Sequence, residues 1–274
     1  MKKLNLTLLI CGCLAFTFPP AYKSTSCVED NFAIQSNEAV YYDVFYNWGF
    51  IWVNAGEVFF KVQDTVYQNQ PVYLFHSYGT SLKKWDWFYK VRDTYKAYVN
   101  KETLQPLLAI RETSEGGYDV SSQSVFDYDN STIISASSFS DKPDRYDTVK
   151  LTGCTFDVLS MIYYTRNINF SEYKSGDKIP VRCIIDGEVF DLHIRYLGLE
   201  NIVTREKEKY RCHKFKPLLV EGTIFTGGEN MTVWVSDDLN RIPVQVEAKV
   251  LVGSIKASLK EAHHLRNPVS SLLK

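Results

Sequence analysis

Val40-Tyr41-Tyr42-Asp43-Val44-Phe45-Tyr46-Asn47-Trp48-Gly49-Phe50-Ile51-Trp52-Val53-Asn54 is the stretch whose reading decides the fold. Taken as every second residue, Val40, Tyr42, Val44, Tyr46, Trp48, Phe50 and Trp52 are all apolar or aromatic, while the other register is mixed. A strand sends alternate side chains to opposite faces. The pattern predicts one long strand with an aromatic face that something must cover. A helical period does not sort these residues as cleanly. Whether protein core or a bound ligand covers the face is the functional question, because no catalytic signature accompanies it.

Strand signals continue in both directions. Val58, Phe60 and Val62 alternate with polar residues, Asn69-Gln70-Pro71 marks a turn, and Val91, Tyr95, Ala97 and Val99 alternate with Arg92, Thr94 and Lys96. Glu115-Gly116-Gly117 and Asp129-Asn130 separate further strands, and 140–147 reads as a polar loop. In the second half, Asp186-Gly187 is a two-residue hairpin signal between Ile179–Ile185 and Val189–Leu199. Strands at Lys209–Leu219, Met231–Val235, Ile242–Leu251 and Ser254–Lys260 follow. One segment reads as helix: Phe156, Leu159, Ile162 and Tyr163 recur at three- and four-residue spacing near 156–166, with Thr155 or Thr152 as its cap. Neighbouring strands joined by turns predict a mainly β fold. It is a large curved antiparallel sheet, or a barrel-like fold, with one packing helix.

The organisation expected is a signal peptide over 1–21, a linker over 22–38, one β-rich domain over 39–262 with its halves joined near 140–155, and a tail over 263–274. Met1-Lys2-Lys3 and the apolar run to Phe18 resemble a secretory signal cleaved near Ala21. Ile10-Cys11-Gly12-Cys13 is similar to a lipobox, which would leave a lipidated Cys13. Without residues 1–21 the chain loses Lys2 and Lys3 and no acid. Its 31 basic and 32 acidic residues become 29 and 32, a formal charge of −3. That balance gives no reason to expect nucleic acid. Cys27, Cys154, Cys183 and Cys212 remain, and three full pairings are open. A buried free thiol is the expectation for each.

Tyr42–Gly56, Tyr89–Asp93, the Phe156–Arg166 helix, Trp234–Asp238, Arg241–Val244 and Val252–Ala257 together resemble the bacterial domain-of-unknown-function family numbered 3108. The likeness covers most of the chain. It implies an exported, β-rich, barrel-like protein of a Gram-negative envelope, periplasmic or envelope-associated. It implies no reaction, cofactor or catalytic residue.

The remaining candidates are weighed by residue type. Asp191, His193 and Arg195 alternate with apolar residues and read as a solvated strand face rather than an acid–base site. No G-x-S-x-G elbow or C-x-x-C pair occurs, so neither a catalytic nor a metal site is assigned. Asp93, Asp157, Arg166 and Asp238 read as caps, turns or a buried ion pair. Tyr46, Trp48, Phe50 and Trp52, with Trp85 and Trp87 of the lysine-flanked segment 83–90, are the candidate ligand-binding residues. The expected function is non-catalytic binding of a lipid or other apolar ligand. An envelope structural or assembly protein with a packed core, working with a protein partner, is the alternative, and a hydrolase of envelope polymers the second.

Overall fold

The computed structural model describes residues 27–28, 30–48, 51–221, 226–250 and 253–274, with backbone alone at 48 and 226. The expected signal segment, Cys13 within it, and Phe50 lie outside the described residues.

The Val40–Asn54 stretch is two strands, not one. β1 spans Ala39–Trp48 and β2 spans Ile51–Tyr67. They pair antiparallel, with Trp48 opposite Ile51 and Asn47 opposite Trp52, so the chain reverses within two residues. Residues opposite each other in a ladder share a face. Trp52 therefore lies on the Asn47 face and not on the Tyr46 face. Further along β1, the partners of Val44 and Phe45 on β2 are Gly56 and Asn54, which leaves Ala55 as a bulge. Val40 and Tyr42 are buried as expected. Val44 is only half-buried, whereas Phe45, from the other register, is buried under the Arg205 guanidinium, 4.0 Å from its ring centroid.

From β2 the chain continues as an antiparallel meander: β3 Gln70–Ser81, β4 Val91–Asn100, β5 Pro106–Glu115, β6 Tyr118–Asp127, β7 Thr132–Phe139 and β8 Arg145–Lys150. β9 (Thr155–Phe156) and α1 (Val158–Thr165) follow. A second run comprises β10 Lys178–Ile185, β11 Glu188–Val203, β12 Lys209–Pro217, a small flap of β13 Leu219–Glu221 and β14 Thr226–Gly228, then β15 Met231–Ser236, β16 Pro243–Lys249 and β17 Ser254–His263. β17 pairs with β1 and joins the two runs into one sheet, with β8 at one end and β9 at the other. These two ends are consecutive in sequence and face each other. Arg145 reaches Glu188 at 2.6 Å, and Val149 and Leu151 pack with Ile184 and Val189. Side chains rather than a backbone ladder bridge this seam among the described residues. The sheet is strongly curved and barrel-like.

The helix fills the concave side against β3, β4, β9 and β10. Leu159 and Tyr163 are each 2% exposed, and Tyr163 stacks on Phe75 of β3 with centroids 3.9 Å apart. The cap is Asp157 rather than either threonine. Its carboxylate accepts from the amides of Leu159 (2.9 Å) and Ser160 (3.1 Å), two donors that a helix start leaves unsatisfied. Phe156, expected in the helix, belongs to β9.

The stretch expected as a linker packs inside the domain. Ala33, Ile34 and Glu38 are buried, and Cys27 is bridged to Cys154 with Cα atoms 5.5 Å apart. The free thiol expected at each cysteine holds for the buried Cys183 and Cys212 and is overturned at Cys27 and Cys154, whose Cα atoms the fold brings within bridging distance. The C-terminal residues dock as well. β18 (Leu272–Leu273) pairs with β12, Ser271 is buried, and Asn267 donates to the Phe32 carbonyl at 2.8 Å.

Candidate functional site

The candidate residues gather at one end of the curved sheet rather than inside it. Tyr46 is half-buried, with the Phe88 ring 6.4 Å from its own. Trp52 is half-buried, and the Lys256 ammonium lies 5.0 Å from its ring centroid. Trp85 is half-buried and donates its indole N–H to the Asn54 carbonyl at 2.8 Å, which ties the β3–β4 loop to the β1–β2 hairpin. Trp87 is 76% exposed, Ile51 66% and Phe88 50%, with Tyr89 exposed beside them. The Trp48 backbone closes the hairpin opposite Ile51, and Phe50 lies outside the described residues. Ile51 opens β2 next to the chain reversal, and the loop 82–90 makes a short 3₁₀ turn at Lys83–Trp85 and meets the hairpin through Trp85 and Phe88. Gly116 of the β5–β6 turn has φ +61, and a Cβ there would collide with the Tyr89 ring. The result is a rim of exposed aromatic and aliphatic side chains. Sequence reasoning singled out the Trp85, Trp87, Phe88 and Tyr89 cluster but missed Ile51 as exposed, because it took Val40–Asn54 as one continuous strand and so did not see the strand end at Ile51.

The loop's polar groups are organised around Asp86. Arg92 contacts its carboxylate at 2.6 Å and Ser81 donates to it at 2.6 Å, which holds Asp86 below the usual carboxylate range. Behind Tyr89, Asp93 and the buried Glu115 lie close together. Burial, and then the Glu115 charge, push Asp93 up to about 7.

Two cavities bear on ligand binding. A small, partly open cavity of about 40 Å³ lies between Tyr95, Arg111, Ser124, Asp157 and Asp186. It can hold a water or two. Pockets for drug-sized ligands run to roughly 300–1,000 Å³. A groove of about 520 Å³ runs along the seam, but Arg145, Asp147, Arg182, Glu188 and Asp191 line it, already joined in ion pairs of 2.6 Å. Neither resembles a sleeve for an acyl chain. The aromatic residues that do face inward pack on one another and on α1.

Acid–base chemistry has one candidate. Tyr196, His213 and Asp237 form a chain, with the Tyr196 hydroxyl 2.9 Å from Nδ1 of His213 and Asp237 2.9 Å from Nε2. Burial lowers the His213 pKa, and the Phe170 ring stacks on its imidazole at 4.9 Å. Neither cavity reaches it. His193 and Arg195 share Glu229 at 2.8 Å on a half-exposed face, and Asp191 pairs with Arg182. Among the described residues, no group of three or more His, Cys, Asp or Glu side chains is placed to hold a metal ion.

Arg166 and Asp238 hold structural roles. Arg166 meets Glu38 through two hydrogen bonds of 2.5 and 2.9 Å and donates to the carbonyls of Asn240 (2.9 Å) and Ala33 (3.1 Å). Asp238 organises the β15–β16 turn, accepting from the Asn240 amide at 2.9 Å and from the Ser236 hydroxyl at 2.9 Å.

The model of a family described as a protein of unknown function, DUF3108, matches residues 41–260. The chain belongs to the DUF3108 family. Among solved structures, it is similar to a crystal structure of a beta-barrel-like protein of domain of unknown function DUF1849 from Brucella abortus. That match has a TM-score of 0.55 and 8% identity, over 84% of this chain and 98% of that one. At this identity the likeness concerns the fold. No curated protein matches the chain. The DUF3108 match begins at β1 and ends in β17, so it spans both runs of the sheet and the helix.

Proposed function

We propose that this DUF3108 protein is an exported, non-enzymatic protein of the bacterial envelope that engages lipid at its aromatic rim rather than inside the sheet. The observation that carries the reading is the exposed set of Ile51, Trp87, Phe88 and Tyr89 at one end of the fold. Large exposed aromatics in one place mark interaction surfaces. Aromatic rings with polar edges favour the boundary between water and lipid. The interior argues in the same direction, since α1 and residues 27–38 occupy the space an enclosed ligand would need. Export is supported by the Cys27–Cys154 bridge, a bond that persists in oxidising compartments.

Flotation of the purified protein with phospholipid vesicles tests the reading. The parent is expected to float with vesicles and to show a blue shift in tryptophan emission. The double substitution Trp87→Ser and Phe88→Ser removes side chains that belong to no core cluster among the described residues and is expected to weaken partition by at least about tenfold, from the apolar area lost. A parent that stays at the bottom of the gradient with every vesicle composition would overturn the proposal.

A further inference from the structure

We infer that the rim recognises the anionic headgroups of a phospholipid surface, an inference that rests on the lipid-engaging reading above. The loop that presents Trp87, Phe88 and Tyr89 also presents Lys83, Lys84 and Lys90, all exposed. Lys83 and Lys84 form no ion pair among the described residues, and the Lys84 ammonium lies 5.6 Å from the Trp85 ring centroid, next to the apolar tip. The nearby acids do not offset them. Asp86 is engaged by Arg92 at 2.6 Å and Ser81, and Glu115 is buried beside Asp93. Lys256, close to Trp52, is already paired with Glu247 at 2.8 Å and contributes no free charge. The rim thus carries cations around an apolar centre, although the whole chain is formally −1.

That arrangement matches a lipid surface in its chemistry. Aromatic rings enter the headgroup boundary, while lysine stems lie along apolar surface and place their ammonium groups at phosphate level. A protein partner would more commonly be met by arginine, whose planar fork pairs carboxylates in two-point contacts. The only arginine of the 82–92 segment, Arg92, is already bonded to Asp86. Each lysine near an anionic membrane adds about 1 kcal/mol of attraction, or about fivefold in affinity.

The test compares purified protein on vesicles of phosphatidylcholine alone and of phosphatidylcholine mixed with phosphatidylglycerol. The parent is expected to bind the mixed vesicles more tightly. Raising salt from about 0.1 M to about 1 M, which shortens the screening length from ~10 to ~3 Å, should erase the preference. Lys83→Gln with Lys84→Gln should lose roughly 30-fold on mixed vesicles and change little on neutral ones. Both lysines are exposed, so an unchanged melting temperature is expected for this variant and checks its fold. Equal binding of the parent to both vesicle types, or a Lys83→Gln/Lys84→Gln variant that keeps the preference, overturns the headgroup inference while leaving rim engagement of lipid in place. Binding to neither type overturns both. Capture of acidic proteins without vesicle binding would count against lipid and for a protein partner.

Discussion

Replacing Glu38 with Leu should cost about 3–5 kcal/mol of stability, because it strands the Arg166 charge inside the domain. The Glu38 side chain is 0% exposed and that of Arg166 4%. Arg166 caps the C-terminal end of α1, and Glu38 ends the segment that packs beneath the sheet, so this pair joins the two elements that fill the interior. With Glu38 gone, the guanidinium keeps only the carbonyls of Asn240 and Ala33, which are neutral. Arg166→Leu should cost a similar amount, since it strands a carboxylate and orphans both carbonyls. The double variant holds no buried charge at this site. Its remaining cost is the two carbonyls, about 1–3 kcal/mol each at most, partly relieved if water reaches them. The two single costs therefore should not add. A coupling of at least about 2 kcal/mol is expected from the cycle. Urea unfolding followed by tryptophan emission, with the Cys27–Cys154 bridge intact and m-values compared, measures all four free energies. A Glu38→Leu cost below about 1 kcal/mol, or strictly additive costs, would refute the view that this ion pair anchors the filled interior.

Two further outcomes are expected. Leu159→Asp should lower stability by several kcal/mol, because Leu159 is 2% exposed and shares one core cluster with Phe75, Val62 and Val99. An unchanged thermal midpoint would show that this face of α1 is not packed. Asp93→Asn should stabilise the protein at pH 8 by about 1–3 kcal/mol and do little at pH 4. The folded-state pKa of Asp93 is raised from 3.8 to about 7, so between those values the folded protein holds a proton that the unfolded chain has released. Stability from this site therefore falls as pH rises through that window, and the cost is fullest above about 7. Asn, which carries no charge and can still accept from the Ser114 amide as Asp93 does at 3.2 Å, removes the cost. A gain that is equal at both pH values would show that Asp93 is not the group responsible.

Much of the sheet is legible because turn chemistry is local. Asp186-Gly187 reads as a hairpin, and both residues do take positive φ, 47° and 82°, as a tight two-residue turn requires. The helix is legible because Leu159 and Tyr163 recur on the stripe that meets the sheet. The error over Val40–Asn54 has a specific cause. The reversal pairs Asn47 with Trp52 and so puts these residues, five apart, on one face, whereas a continuous strand would put them on opposite faces. Only Gly49 marks the reversal, and the unbroken run of aromatics hides it. The bulge at Ala55 then shifts the register again without any turn residue to announce it.

Closure of the fold was beyond reach of such local reading. The pairing of β1 with β17, the Cys27–Cys154 bridge and the Arg166–Glu38 pair join residues more than 100 apart, and the bridge is one of three pairings the thiols allow. These same contacts change the functional argument. An aromatic face of β1 invites an enclosed ligand only if the chain has nothing of its own to cover it. Val40 and Tyr42 of that face pack with Ile202, Tyr210, Trp234, Ile242 and Val244. Residues 30–38, polar enough in Asn31, Gln35, Ser36 and Asn37 to suggest a linker, place Ala33 and Ile34 in a second core cluster with Val62 and Phe75, and Asn167 accepts from the Phe32 and Ala33 amides at 3.1 and 3.3 Å. Leu159 and Tyr163 of the helix join that second cluster. With the concave side occupied by the protein's own side chains, the exposed aromatics of the 83–90 loop, with Ile51 of β2, are the surface on which the proposed lipid contact rests. Any lipid role must therefore be read at that rim, where Trp87 stands in solvent, and not from the count of aromatic residues that first suggested a pocket.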